Sequence, residues 1–186
     1  MSLSEYHQKF AQQSDNIIDD KLCVKKEELE SIFKVMAPAF VVHPIRVAVL
    51  GCGDKRFVQK HREIFSELLG GPVALTTFDI TIDHLVGESG VIEHDCTVPL
   101  PGGPFDIAYA HVLLKFIEPT KQMNVIRNSY NALAAGGIAI HVLDAGDYTG
   151  QQPVVLLEKY KSQLVAEGVS FKEIPVAFGL ALVLCK

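Results

Sequence analysis

Closely spaced cysteine pairs, long apolar runs, an excess of basic residues and phosphate-loop signatures are all missing from this chain. Its four cysteines, Cys23, Cys52, Cys96 and Cys185, lie far apart with no CxxC spacing, which excludes a disulfide framework and a zinc ribbon and suits a reducing compartment. The longest apolar runs, such as residues 35–42 and 179–185, fall well short of the roughly 18 residues needed to cross a bilayer. The N-terminus is too polar for a signal peptide, so a soluble, cytoplasmic protein with no membrane partner is expected. Lys and Arg number 17 against 22 Asp and Glu, a net charge of −5, which argues against a nucleic-acid partner. None of the seven histidines shows HxxxH or HExxH spacing, so no metal site is expected. The adjacent His94, Asp95 and Cys96 cannot converge on one ion from a strand, because neighbouring side chains leave opposite faces.

What is present is the material of a packed globule. Hydrophobic residues make up 48% and charged residues 21% of 186 residues; at about 150 residues per domain this gives one domain over 1–186, with 1–40 as an N-terminal helical segment. Tyr6, Phe10 and Ile17 keep a loose helical spacing, and Leu29, Ile32, Phe33, Met36 and Phe40 a closer one. The run IRVAVL at 45–50, bounded by Pro44 and Gly51, has the β-branched composition of a strand buried on both faces. A helix with Phe57, His61, Ile64, Phe65 and Leu68 on one face follows, stopped by Gly70. Further strands are expected at 73–78, 91–93, 105–110 and 137–143. Helices are expected around Met123, Ile126, Tyr130 and Leu133, and after Pro153 with Val154, Leu157 and Leu164 on one face. The closing runs, 169–176 and 180–185, are joined by too few residues for a crossover and should form an antiparallel hairpin at one edge. The fold class is therefore α/β: a doubly wound, mainly parallel seven-stranded sheet with an antiparallel C-terminal hairpin.

Such a sheet binds ligands beyond the carboxyl ends of its strands, and the strand tips form a consistent set. Strand one ends in Leu50, Gly51, Cys52, Gly53 and Asp54; strand two in Asp79 and Ile80; strand three in Asp95 and Cys96; strand four in Ala110 and His111; strand five in Asp144. The glycines permit a tight turn and close ligand approach, and Asp79 is placed to accept both hydroxyls of a ribose. The third glycine of a dinucleotide fingerprint is replaced by Arg56, against a nicotinamide-dependent oxidoreductase, and GxxxxGK[ST] is absent, against an ATP or GTP loop. A ligand with ribose and adenine but no pyrophosphate remains.

Five segments in order, VAVLGCGDKRF, FDIT, EHDCTVPLP, PFDIAYAHVLLKFI and YNALAAGGIAIHVLD, resemble the motifs of the class I S-adenosylmethionine (SAM) dependent methyltransferases over about residues 45–144. The resemblance implies SAM as cofactor, with Gly51 and Gly53 along the methionine part, Asp79 at the ribose, Asp95 and Cys96 at adenine, Ala110 and His111 beside the reactive end, and Leu50, Cys52 and Ile80 as further cofactor-binding residues. It implies methyl transfer to an unidentified small-molecule acceptor, with His111 as candidate general base because its ordinary pKa is near neutral. Asp144, Asp147 and Tyr148 are candidates for shaping the acceptor pocket. The chain departs from the pattern at Val49, where an acid is common, and at Lys55, where a glycine is. These departures, with the lack of an inserted substrate domain, motivate an alternative: a catalytically inactive methyltransferase-like binding or oligomerisation module.

Plainer roles compete at each site. Asp79 and Asp95 are also natural turn or cap residues, Cys52 and Cys96 natural packing residues, and Lys55, Arg56, Lys60, His61 and Arg62 a natural solvated face. The oligomeric state is left open, with a homodimer through the apolar edge hairpin as one arrangement the sequence allows.

Overall fold

The computed structural model describes residues 5–40 and 44–186, so Val41 and Val42 of the apolar run, and His43, lie outside the described residues. The elements run α1 (Glu5–Ala11), α2 (Asp15–Met36), β1 (Ile45–Leu50), α3 (Lys55–Leu69), β2 (Val73–Asp79), β3 (Val91–Glu93), β4 (Phe105–His111), α4 (Pro119–Asn131), β5 (Leu133–Asp144), α5 (Ala145–Tyr148), α6 (Leu157–Ala166), β6 (Ser170–Val176) and β7 (Gly179–Cys185). Short 3₁₀ turns occupy Asp83–Leu85 and Leu114–Phe116.

The strands form one sheet in the order β3-β2-β1-β4-β5-β7-β6. β1 to β5 pair in parallel, and β7 is antiparallel to both β5 and β6. The mainly parallel seven-stranded sheet and its C-terminal hairpin are as expected from the sequence. Alternation along the central strands divides the core between two faces. Val47, Val49, Ile107, Tyr109, Ile138 and Ile140 pack towards residues of α2 and α3, among them Ile18, Leu29, Ile32 and Phe65. Ala48, Leu50, Ala108, Ala110 and Ala139 pack towards Val125, Ile126, Leu157 and Leu164 of α4 and α6; alanines on this face allow close approach. Among the described residues no helix is long and apolar enough to cross a membrane.

Three local expectations are corrected. The N-terminal spacing is broken at 12–14, and a new helix starts after Ser14, so Ile18 is buried while Ile17 is 45% exposed; the side chain of Tyr6 lies outside the described residues. The last helix starts at Leu157 rather than just after Pro153, and Val154 is exposed. Its backbone is committed elsewhere: Val154 O accepts from Gln122 Nε2 at 2.8 Å, and Val155 N donates to Asp147 O at 2.9 Å. β5 begins at Leu133, not Gly137, because a register shift between Phe105 and Ile107 absorbs extra residues ahead of the regular ladder.

A buried histidine makes the fold sensitive to acid. Ser129 Oγ of α4 donates to Ile126 O (2.7 Å) and so accepts from Nε2 of His141 on β5 (2.8 Å), leaving His141 Nδ1 buried without a partner. Protonating Nδ1 would strand a charge in the core, and burial accordingly lowers the imidazole pKa to about 4. Because the folded pKa lies below the unfolded value, stability is lost as pH falls from about 6.5 to about 4. We expect the unfolding free energy of the wild type to drop by about 2–3 kcal/mol more than that of His141→Gln between neutral pH and pH near 4.5, measured by urea titration; parallel pH slopes for the two proteins would contradict this.

Candidate functional site

The chain order reverses between β1 and β4, and the segments leaving these two strands diverge there, opening a crevice at their carboxyl ends. A cavity of about 840 Å³ lies at this place, within the range of small-molecule sites. Of the residues singled out in the sequence, Gly51, Cys52, Gly53, Asp79, Ile80, Asp95, Cys96 and His111 line it, as does Asp144. Leu50 and Ala110 are not part of its wall: both are buried strand residues facing the α4 and α6 side, each one position before a lining residue. Asp147 and Tyr148 are also outside the wall, although Asp147 sits 3.6 Å from Lys115, a lining residue that also pairs with Asp144 at 3.2 Å.

The loop after β1 is fixed from several directions. Gly51 takes φ +76°, and a Cβ there would meet Leu113 Cδ1 at 2.9 Å, so only glycine both turns the chain and leaves this contact uncrowded. Gly51 N donates to Phe78 O at 2.8 Å, Cys52 N to Asp79 Oδ2 at 2.6 Å, and His84 Nε2 is 2.5 Å from Cys52 O. Asp79 thus performs the plainer turn-fixing role as well as facing the cavity, and Asp95 similarly accepts from Thr97 N at 2.8 Å. Burial pushes the Cys52 and Cys96 thiols up to about 12, consistent with packing rather than nucleophilic duty.

Arg56 and His61 depart from the solvated basic face expected of them. Asp54 caps α3 by accepting from Arg56 N (2.9 Å), and the Arg56 guanidinium bonds both oxygens of Asp54 (2.8 Å each), Asp15 Oδ1 (2.8 Å), Gln13 O (3.0 Å) and Phe10 O (3.1 Å). The helical arm α1–α2 is thereby tied to the loop after β1. His61 is buried against the Tyr109 ring, with centroids 5.8 Å apart. Lys55 is exposed and is not part of the cavity wall.

The arm supplies residues that sequence reasoning missed. Glu28 of α2 is 3% exposed, and its Oε2 lies 3.0 Å from His111 Nε2. Burial raises the Glu28 carboxyl to about 7, with Lys25 opposing. Burial also holds His111 well below the ordinary imidazole value, and the Lys25 charge acts in the same direction. Lys25 is 9% exposed; burial brings its ammonium down to about 8. The signal for both was visible only as charged residues on the apolar stripe of a helix, at 25 and 28 beside Leu22, Leu29 and Ile32. His7, Asp79 and His84 also meet, with ligand-capable atoms within 4.8 Å of one another and the two imidazoles stacked at 3.8 Å. Three residues able to hold an ion are thus brought together despite their scattered spacing, with His84 Nε2 already engaged at the Cys52 carbonyl. Val112, directly after His111, takes φ +55°, a strained conformation for a β-branched residue of the kind that clusters at functional sites.

No protein-family profile matches the sequence, and no curated protein matches it. Solved structures do. The sugar N-methyltransferase KedS8 of Streptoalloteichus sp. ATCC 53650 superposes with a TM-score of 0.68 at 10% identity, over 100% of this chain and 94% of that one. DesVI of Streptomyces venezuelae gives 0.64 at 9% identity, over 92% and 98%. Magnesium protoporphyrin IX methyltransferase of Synechocystis PCC 6803, solved with bound SAM, gives 0.57 at 15% identity, over 92% and 83%. The chain has the class I methyltransferase fold; at these identities the likeness is one of fold.

Arg56→Met removes all five guanidinium bonds and leaves buried Asp54 without its cation. It is expected to cost on the order of 2 kcal/mol and to open the connection at 12–14 to protease. Urea unfolding and limited proteolysis check this, and an unchanged digestion pattern would show that the arm is held by other contacts.

Proposed function

We propose that this protein transfers the methyl group of SAM to a small-molecule acceptor. The observation that carries the reading is the meeting, in one cavity, of the glycine turn and Asp79 with the His111–Glu28 pair. The residues present fit the cofactor: the turn at Gly51 would be crowded by any Cβ, the Asp79 carboxylate faces the cavity with lone pairs beyond those used by Cys52 N, and Lys55 stays clear of the wall. Gly51, Cys52 and Gly53 would hold the methionine part, Asp79 and Ile80 the ribose, and Asp95 with Cys96 the adenine. Bound SAM supplies an electrophilic methyl on a sulfonium centre.

The chain's own contribution is to align the acceptor and receive its proton. With Nε2 engaged by Glu28, Nδ1 of a neutral His111 is the basic nitrogen, and an ionised Glu28 stabilises the imidazolium that results. Since Glu28 ionises only above about 7, turnover should rise through that pH. The inactive-module alternative is weakened, because Lys55, one of the two departures that motivated it, stays clear of the cavity wall, and Val49, the other, is a core residue.

Calorimetry with S-adenosylhomocysteine is expected to give micromolar affinity for the wild type and at least about tenfold weaker binding for Asp79→Ala, a difference of about 1.4 kcal/mol. Methyl transfer from radiolabelled SAM across a panel of phenols, acids and amines should fall roughly 100-fold or more in His111→Ala, with homocysteine-product affinity unchanged. Absence of any wild-type binding would refute the proposal.

A further inference from the structure

The inner end of the cavity, between α2, α3 and the tip of β4, holds an unusual concentration of unpartnered polar groups. The Lys25 ammonium makes no hydrogen bond or ion pair with any described residue; its neighbours are ring faces, Phe57 at 5.4 Å and Tyr109 at 6.0 Å from the centroids. Both ring nitrogens of His61 and the hydroxyl of Tyr109 are buried without a partner. His61 and Lys25 line the cavity directly. Buried polar atoms are normally satisfied, and each exception calls for an explanation. A buried ammonium without an anion is more costly still.

Charge decides what would satisfy them. Glu28 already has His111 Nε2 at 3.0 Å, and its raised pKa of about 7 leaves it only partly ionised near neutral pH. Lys25 has no such partner. Lys115 is neutralised by Asp144 and Asp147. The unmet demand in the cavity wall is therefore for a negative group that accepts hydrogen bonds, with His61 as a neutral donor beside Lys25 and the Tyr109 ring behind them. Burial keeps the Tyr109 hydroxyl protonated by pushing its pKa well up. The cavity wall also carries exposed apolar groups: Ile80 and Phe178 are 63% and 64% exposed, and Leu113 and Phe116 line it as well.

We propose that this recess is the acceptor-recognition subsite and takes an anionic oxygen, a carboxylate or a phenolate, carried on an apolar or aromatic body that lies against Leu113, Phe116 and Phe178. The assignment of this anion to the acceptor rests on the SAM-dependent reading above, in which the cofactor occupies the side of the cavity formed by Gly51, Asp79 and Asp95. Lys25 and His61 are binding residues of the subsite, and Glu28 and His111 stand next to it, where the acceptor's proton would be received.

Benzoate, 4-nitrophenolate, benzyl alcohol and benzylamine, titrated calorimetrically into the full chain with and without saturating S-adenosylhomocysteine, test this. Benzoate is expected to bind at least about tenfold more tightly than benzyl alcohol, and bound 4-nitrophenol to show the absorption of its phenolate. Benzoate ahead of nitrophenolate would identify a carboxylate acceptor, and the reverse order a phenol. Lys25→Met, which removes the buried charge at similar volume, should abolish the preference for anions and leave S-adenosylhomocysteine affinity unchanged. Equal affinity for benzoate and benzyl alcohol in the wild type, or tighter binding of benzylamine, overturns the proposal without recourse to any variant. So does a Lys25→Met protein that loses S-adenosylhomocysteine but keeps benzoate, since the ammonium would then serve the cofactor's carboxylate. Anion preference in a wild type that binds no S-adenosylhomocysteine would sustain the recess as an anion site and defeat the cofactor reading instead.

Discussion

The site depends on one guanidinium. Arg56 has five N–H donors, and the structure uses every one: three on the carboxylates of Asp54 and Asp15 and two on the carbonyls of Phe10 and Gln13. Asp54 belongs to the turn after β1, and the other three partners belong to the end of α1 (Phe10), the connection that follows (Gln13) and the start of α2 (Asp15). A single side chain thus fixes the helix start, the glycine loop and the arm that roofs the cavity in one frame. Lysine could not replace it, because a point charge lacks the planar fork that reaches four residues in different directions. Proximity of Asp54 and Asp15 keeps the guanidinium firmly protonated.

Legibility in the sequence followed the range of the interactions concerned. The strands were readable because the central ones, above all β1 and β4, are buried on both faces and so read as apolar runs bounded by turn residues. Their tips were readable too, since the residue after each run is fixed once the run is known; Gly51, Asp79, Asp95 and His111 reach one cavity for that reason. Leu50 and Ala110 fell just short, because a shift of one residue in a strand moves a side chain to the other face. Arg56 was visible only as the residue that replaces a glycine and as one member of a basic cluster. Its actual partners lie 41 to 46 residues away on the arm, apart from Asp54, and nothing local encodes that distance. Lys25 and Glu28 were hidden in the same way, as polar residues on an otherwise ordinary apolar stripe.

The polar groups around His111 show how an apolar scaffold sets chemistry. No unusual residue types are involved. Lys25, Glu28, His61, Tyr109 and His111 would be unremarkable in water, and it is burial that makes the ammonium and the carboxyl each resist their charged form. Val112, at φ +55°, turns the chain out of β4 into the Leu113–Ile117 segment, which lines the cavity through Leu113, Lys115, Phe116 and Ile117. That segment is held from behind by Gln122, whose amide donates to Leu114 O and Ile117 O and whose oxygen accepts from Tyr160.

The division of labour between scaffold and arm has an evolutionary corollary. Gly51, Asp79 and Asp95 come from strand tips that the sheet cannot move without unravelling, whereas Lys25 and Glu28 ride on α2, a helix that contributes no strand pairing and joins the rest by side chains alone. Exchange of that one segment would therefore change the polar groups of the inner recess while the strand tips stay in register, making residues 5–40 a unit that can vary on its own.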